Sequence, residues 1–354
     1  MQENNSTSYR EKVMKINFKI TSDCPANCQC CQERLRNYKL YPERLLLHPL
    51  VIERILQLFI DSGDSENTLS ISGGEPSIVP ELSNIVSFFS AKGIRVGIDT
   101  NGWNVTETWL RQMEQAGLDY LLLSFYSSNK SLYNMLRGSA GTDLFQRAEQ
   151  AISAISRLKA AGCQMEARLQ VTLMKGNYQE LPLLLQIALE NHFDTLSTAY
   201  YISAKEDPTN TLDEKDIMLL KSDIVYQLKC IMRDSMSDSL ISTNIERISQ
   251  FFNFSGVSTD RIAHGFFRNK NEMCHDNHRL VVYPNGDVVP CTGFDYIMDT
   301  TQSLNIIDHS YKEIINSRIF AEFWINGFPL CERCSSGHQI WLDLKYTPKT
   351  NRED

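Results

Sequence analysis

Four cysteines crowd into one stretch of eight residues, Cys24-Pro25-Ala26-Asn27-Cys28-Gln29-Cys30-Cys31. Cys24, Cys28 and Cys31 take positions 1, 5 and 8 of that stretch. Thiolates so close in sequence are the usual holders of iron–sulfur clusters. Three of them can ligate three irons of a cubane and leave the fourth iron without a protein ligand. An open coordination position is where a metal centre does chemistry instead of stapling a fold. A zinc site short of its fourth ligand is the alternative for the same three thiols. Cys30 could replace Cys31 only with a changed spacing. It reads instead as a thiol packed beside the site, or as a redox-sensitive spare.

A second group lies far along the chain. Cys274, Cys291, Cys331 and Cys334 supply four thiolates, enough to close a cubane or to hold tetrahedral zinc. Between the first two, Asn285-Gly286 separates two β-rich runs, Arg279–Tyr283 and Val288–Pro290, a strong hairpin signal. The C-x-x-C knuckle of Cys331 and Cys334 can then bring the distant pairs together. A closed set of four leaves no open iron, so this site suits electron transfer or structural support. Of the remaining cysteines, Cys163 precedes a strand at the end away from the first group and reads as core, and Cys230 falls in a later helix.

The whole chain bounds the class. Its 354 residues are enough for one large α/β domain and a smaller appendage. The first 15 residues are polar and lack the apolar stretch of a signal peptide, and the ten cysteines sit mainly in loops. A reduced, cytoplasmic, metal-binding protein is the expectation. No apolar run reaches the ~18 residues of a membrane span. Net charge is −8 with no basic stripe, against a nucleic-acid binder that works by neutralising phosphates.

The rest of the chain must position the cysteines. Residues 1–12 read as a frayed tail. Lys15–Ile20 alternates as a strand and runs straight into the cysteine loop. Helical spacing covers Pro49–Ile60, Pro80–Ser90, Thr106–Ala116, Leu144–Ala161 and Tyr178–Asn191. Strands are expected at Thr68–Ile71, Ile94–Thr100, Leu118–Phe125, Met165–Thr172 and Leu196–Ile202. Six strand–helix alternations imply parallel pairing. They are too few for an eight-stranded barrel and suit an α/β fold with a partial, TIM-like (βα)6 barrel, open for ligand at the carboxyl ends of its strands. The strands also alternate a polar face (Lys15, Asn17 and Lys19; Arg95 and Asp99; Glu166, Arg168 and Gln170) with an apolar one. A closed core would be apolar on both faces, so a wet or ligand-filled interior is expected; solvated outer faces are the other reading. After Ile202 come a polar loop at 203–210 and helices at Asp213–Arg233 and Ile241–Phe252. The organisation expected is a barrel at 13–205, a helical bridge at 206–262 and a small iron–sulfur β-hairpin/helix domain at 263–345.

Cys24-x3-Cys28-x2-Cys31 resembles the signature of the radical S-adenosylmethionine (SAM) superfamily, and Ser72-Gly73-Gly74-Glu75-Pro76, after the second strand, resembles its GGEP motif. The resemblance covers residues 15–202. Cys30 departs from it, since many members carry an aromatic residue there. The tail, with Cys274, Gly286-x4-Cys291 and Cys331-x2-Cys334, resembles the twitch domain, a shortened SPASM domain that binds one auxiliary [4Fe–4S] cluster. What the resemblance implies is a mechanism: SAM chelates the open iron of a [4Fe–4S] cluster, an electron cleaves it, and a 5′-deoxyadenosyl radical abstracts a substrate hydrogen. It implies Gly73 and Gly74 letting the backbone approach SAM, Glu75 near the SAM ammonium, Pro76 completing the motif, and looser matches of Asn101, Ser124, Arg168 and Gln170 to SAM contacts. Thr100-Asn101-Gly102 reads equally as a plain turn. Cys230 would be a hydrogen-atom donor of the kind that related peptide epimerases use; a buried helix cysteine is the plainer reading. A reducing partner such as flavodoxin or ferredoxin is implied too.

Enzymes of this resemblance modify ribosomally made peptides or oxidise small molecules such as aminocyclitols. Peptide maturation, by oxidation, crosslinking or epimerisation, is the expectation here, although residues 1–14 leave no room for a leader-binding domain before the first strand. A radical dehydrogenase of an amino sugar or aminocyclitol is the alternative. A non-catalytic iron–sulfur electron carrier is a third reading, against which the intact Gly73-Gly74-Glu75-Pro76 stands, since a carrier needs no SAM pocket.

Overall fold

In the computed structural model the residues described are 14–31, 45–64, 66–138, 143–201, 209–252, 279–291, 304–321 and 340–344. The tail at 1–12, the loop at 203–208 and three auxiliary-site cysteines, Cys274, Cys331 and Cys334, lie outside them.

Six parallel strands form the centre: β1 (Lys15–Thr21), β2 (Thr68–Gly73), β3 (Arg95–Thr100), β4 (Tyr120–Ser124), β5 (Glu166–Leu173) and β6 (Thr195–Tyr200). They lie side by side in sequence order. The crossovers carry α1 (Val51–Ser62), α2 (Leu82–Ser90), α3 (Glu107–Gln115), α4 (Lys130–Leu136), α5 (Leu144–Ala160) and α6 (Leu181–Glu190). Each helix covers the sheet with one apolar stripe. In α1 that stripe is Val51, Ile55, Leu58 and Phe59, spaced to fall on one face of a 3.6-residue turn. The alternation read from sequence holds: Ile16, Phe18 and Ile20 are buried under the helices, and so are Ala167, Leu169 and Val171.

Two differences from the sequence reading bear on function. First, α4 was not foreseen. It is a seven-residue helix capped by Asn129, whose side chain accepts from Leu132 N, and it buries Tyr133 and Leu136. Second, the C-terminal strands extend the central sheet at both edges, which the sequence did not indicate. β7 (Arg279–Val282) pairs parallel with β1, and β8 (Asp287–Val289) and the two-residue β9 (Leu304–Asn305) follow it antiparallel. β10 (Ile340–Asp343) pairs antiparallel with β6 at the other edge. The result is one ten-stranded sheet, β10-β6-β5-β4-β3-β2-β1-β7-β8-β9. Pro284-Asn285-Gly286 turns the β7–β8 hairpin as expected, with Gly286 at φ 92°.

The long helix expected at 213–233 is α7 (Glu214–Leu219) and α8 (Val225–Ser235), joined by one wider π turn at Leu220–Ile224; α9 (Asp238–Phe252) follows. α8 packs on α6, in the outer helix layer. A short α10 (Tyr311–Ile315) packs on α1. No described helix is long and apolar enough to cross a membrane.

Candidate functional site

The site is built at the carboxyl ends of β1, β2, β3 and β4. β1 delivers the cysteine loop. The loop after β2, Gly73-Gly74-Glu75-Pro76, docks against it: Gly74 N donates to Thr21 O (2.6 Å) and Glu75 N to Asp23 O (2.7 Å). A Cβ on Gly74 would lie 2.0 Å from the Asp23 carbonyl oxygen, and one on Gly73 2.5 Å from that of Thr21. The two glycines therefore let this loop press on the backbone of the cysteine loop. This contact is one that the sequence did not reveal.

Glu75 takes part in the same junction. Its carboxylate is buried and accepts from Thr100 Oγ1 (2.5 Å), Asn101 N (2.7 Å) and Ser77 N (3.0 Å). Burial pushes its pKa up, against these donors. The carboxylate is spent on binding the end of β2 to the turn after β3. Pro76 opens the short 3₁₀ turn Pro76–Ile78 that follows, a position where its missing N–H costs nothing. The turn reading of Thr100-Asn101-Gly102 is met, and the turn also reaches the cysteine loop. It is a tight turn closed by Gly102 N on Thr100 Oγ1, and it aims Asn101 Nδ2 at Cys24 Sγ, 3.4 Å away.

The fourth wall is α4 and the residue after it, Arg137. Leu136 O and Arg137 O accept from Gln29 N and Asn27 N of the cysteine loop. Arg137 is 3% exposed. It donates from Nη1 to Cys28 Sγ (3.4 Å) and from Nη2 to Ser124 O, and it lies over the ring of Tyr126 at 3.9 Å. Sequence reading missed this residue. The available signal was Asn129 as a cap, Leu132, Tyr133 and Leu136 on one helical face, and Arg137-Gly138 closing the turn.

Cys24 is exposed, Cys28 buried, and Cys30 and Cys31 partly buried; no described cysteine is in a disulfide. Burial, and then the nearby Cys28, push the Cys30 thiol up to about 12, while the Tyr126 hydroxyl and Arg137 work the other way. Among the described residues no three His, Cys, Asp or Glu side chains converge tightly enough for a single metal ion. A cubane does not ask for that, because each thiolate binds a different iron. The surroundings fit an anionic cluster. Among the described residues Arg137 forms no ion pair with a carboxylate, and its Nε has no partner. A buried cation without a counter-charge is costly, and thiolates around iron would supply one.

Below the cysteine loop the polar faces of the strands enclose a cavity of about 520 Å³. Its wall includes Asn17, Asp99, Tyr120, Arg168, Gln170 and Arg279. Asp99 accepts from Ser70 Oγ (3.2 Å). Arg168 binds Glu166 (2.7 Å), as Arg95 does (2.8 Å), and stacks on Tyr120 at 3.9 Å. The interior is thus polar, as the alternation implied. Of the looser sequence matches, Ser124 and Gln170 pair in register where the strands end toward the cysteine loop. Arg168 is deeper, beside Leu122 and the first residue of β6, and is not brought to the cysteines. Nor is Cys230, which is half-buried on α8 in the outer helix layer.

Cys291, the described member of the second cysteine group, follows β8. Val289 faces Val281 across the hairpin, and Arg279 sits beside Lys15 at the start of β1. Cys291 is therefore at the opposite end of the sheet from Cys24, with a seven-residue strand between them, roughly 20 Å at ~3.3 Å per residue.

Comparison with known proteins agrees with this layout. Residues 18–180 match the Radical SAM superfamily and residues 274–336 the SPASM iron–sulfur cluster-binding domain. The chain is 23% identical to PqqA peptide cyclase of Gluconobacter oxydans over 339 residues, 93% of this chain and 84% of that one. Among solved structures, anSMEcpe with bound AdoMet and Cp18Cys peptide aligns with a TM-score of 0.64 at 16% identity, over 94% of this chain and 88% of that one. Streptococcus suis SuiB bound to precursor peptide SuiA aligns with a TM-score of 0.62 at 16% identity, over 93% and 71%. At these identities the structural likeness speaks for the fold. The cysteine loop, the Gly-Gly-Glu-Pro loop docked on it and the two matches agree: this chain carries a radical SAM domain followed by a C-terminal SPASM-type iron–sulfur domain.

Proposed function

We propose that this chain holds a [4Fe–4S] cluster through Cys24, Cys28 and Cys31, binds SAM at the remaining iron, and abstracts a hydrogen atom from a ribosomally made peptide, which is oxidised, crosslinked or epimerised as a result. The observation that carries the reading is the docking of the Gly73-Gly74-Glu75-Pro76 loop onto the cysteine loop above a polar cavity. With SAM bound, such a cluster supplies a 5′-deoxyadenosyl radical once reduced, and the protein's share is position and exclusion. Gly73, Gly74, Glu75 and Pro76 fix the height of the SAM pocket. Asn101 and Arg137 hold the sulfurs of Cys24 and Cys28 from two sides. Ser124 and Gln170 border the route from that pocket into the cavity, where Arg168, Asp99 and Arg279 would orient polar groups of the substrate.

The second site is proposed as a closed [4Fe–4S] cluster on Cys274, Cys291, Cys331 and Cys334, the four cysteines within residues 274–336. The position of Cys291, at the end of the sheet away from Cys24, suits a site that takes an electron from a substrate radical. The division proposed is barrel 13–205, bridge 206–262 and auxiliary domain 263–345, with flavodoxin or ferredoxin as electron donor in a reducing cytoplasm. The peptide is supported by the named action of PqqA peptide cyclase and by the peptides bound in the SuiB and anSMEcpe structures.

Anaerobic reconstitution followed by iron and sulfide counting tests the metal assignment: two [4Fe–4S] clusters per chain are expected, and one cubane plus zinc would remove the auxiliary cluster. With dithionite and SAM the protein should release 5′-deoxyadenosine, and Cys28→Ala should release none. Short peptides encoded beside the gene, incubated with the reconstituted enzyme, should change mass. An unchanged set alongside oxidation of a polar small molecule would overturn the peptide substrate.

A further inference from the structure

Arg137 stands out because it is buried, charged and committed to groups other than carboxylates. The Cys28 sulfur lies 3.4 Å from its Nη1. Cys28 itself is 7% exposed, so water does not screen the pair. The guanidinium cannot turn away: Ser124 O holds Nη2, Tyr126 lies under its face, and the Tyr133 ring flanks it at 5.3 Å. Its own backbone carries the cysteine loop through Asn27 N on Arg137 O (2.9 Å). Cation and sulfur are thereby part of one rigid unit.

We propose that Arg137 is a positioning residue that raises the reduction potential of the cluster at Cys24, Cys28 and Cys31, by a charge-assisted hydrogen bond to the Cys28 sulfur. The inference rests on the assignment of those cysteines as ligands. Hydrogen bonds to cluster sulfurs and the local charge are among the terms that set such potentials. Reduction adds one negative charge to the cluster. A fixed cation beside a ligand sulfur favours the reduced form more than the oxidised one, and at low local polarity the preference is large. Asn101 at Cys24 cannot substitute, being neutral and bound to the exposed sulfur.

The test is a potentiometric titration of the reconstituted full chain followed by electron paramagnetic resonance, with Cys274, Cys291, Cys331 and Cys334 intact. In Arg137→Gln the reduced-cluster signal of the 24–31 site should appear only at lower potential. A tenfold fall in the reduction equilibrium is expected, about 59 mV for one electron. Arg137→Lys keeps the charge without the fork and should fall by a smaller step, with its iron content intact. A purely structural arginine would lower the melting temperature and iron content of both variants but leave the potential of the cluster that remains unchanged; that result overturns the proposal. Equal shifts in the two variants overturn it as well, since charge would then not be the cause. If Arg137→Gln fails to hold iron, Arg137→Lys decides alone: a lower potential supports the proposal and an unchanged one refutes it. Failure of the wild type to form a cluster at residues 24–31 is a different outcome, and it would sink the ligand assignment beneath the proposal.

Discussion

The side-chain amide of Asn101 reaches the sulfur of Cys24 across 3.4 Å, from a turn that Glu75 holds by its backbone. The ends of β2 and β3 and the cysteine loop thus form one hydrogen-bonded unit. Replacing Asn101 with Ala should cost about 1 kcal/mol or less, because Cys24 is exposed and water can take over the bond. Iron should still be bound, with chelator stripping it several-fold faster than from the wild type; an unchanged stripping rate would remove Asn101 from the site.

Glu75→Gln is a harsher change. The carboxylate faces three donors and no acceptor. An amide must turn its NH₂ toward one of them. The expected loss is about 2–3 kcal/mol, read as a lower melting temperature together with poorer iron incorporation.

Gly74 and Gly63 separate close approach from backbone strain. Gly74→Ala drives a methyl onto the Asp23 carbonyl, where only backbone can give way. A penalty of about 3 kcal/mol or more is expected, with loss of the cluster. Gly63 has φ 69° but open space around it, so Gly63→Ala should cost only about 1–2 kcal/mol and leave iron content alone. Differential scanning calorimetry and iron assay on the pair would show whether packing of the two loops is the sensitive point.

Glu166 gives a pH signature away from the metal. Burial alone would raise its pKa, but the Arg168 and Arg95 guanidiniums outweigh that and hold it below its ordinary value of 4.5. A carboxylate held low stabilises the fold above its unfolded pKa, and that stability is lost as pH falls through the folded value. The stability difference between wild type and Glu166→Gln should therefore be level above 4.5 and shrink below it. Melting curves taken from neutral pH downward would show a difference that does not shrink if the pair with Arg168 contributes nothing.

Cys30 and Cys31 are adjacent, but only Cys31 keeps the spacing expected of a ligand. Cys30 packs against Tyr126 and is held as a thiol by its surroundings. Cys30→Ser should retain a full complement of iron at the first site, and Cys31→Ser should lose it. Iron counts in the reverse order would exchange their roles.

Much of this was legible in the chain itself. The two-residue alternation of β1, β3 and β5 revealed a barrel whose inside is polar, because side-chain direction in a strand is a local property. The hairpin was legible from Asn285-Gly286, and the loop at the end of β1 stood out by the spacing of Cys24, Cys28 and Cys31. What escaped depends on contacts between distant residues. Arg137 looks like any arginine at the end of a short helix until α4 is folded onto the cysteine loop. Gly73 and Gly74 announce close approach but not to what, and the partner is the backbone of residues 21 and 23. Arg168 shares the polar face of its strand with Gln170, yet one register step separates the depth of the cavity from its mouth.

The edge pairings of β7 and β10 have a consequence for how the protein is made. β1 and β6 leave the ribosome before their outer partners, each with an unpaired row of backbone groups along one side. Their partners come much later, more than 130 residues after β6 in the case of β10. Until then the nascent barrel carries two open edges of the kind that invite pairing with other chains. A chain shortened before residue 340 would keep every cysteine and still lack its closing strand, so we expect it to be lost to aggregation before it is lost to chemistry.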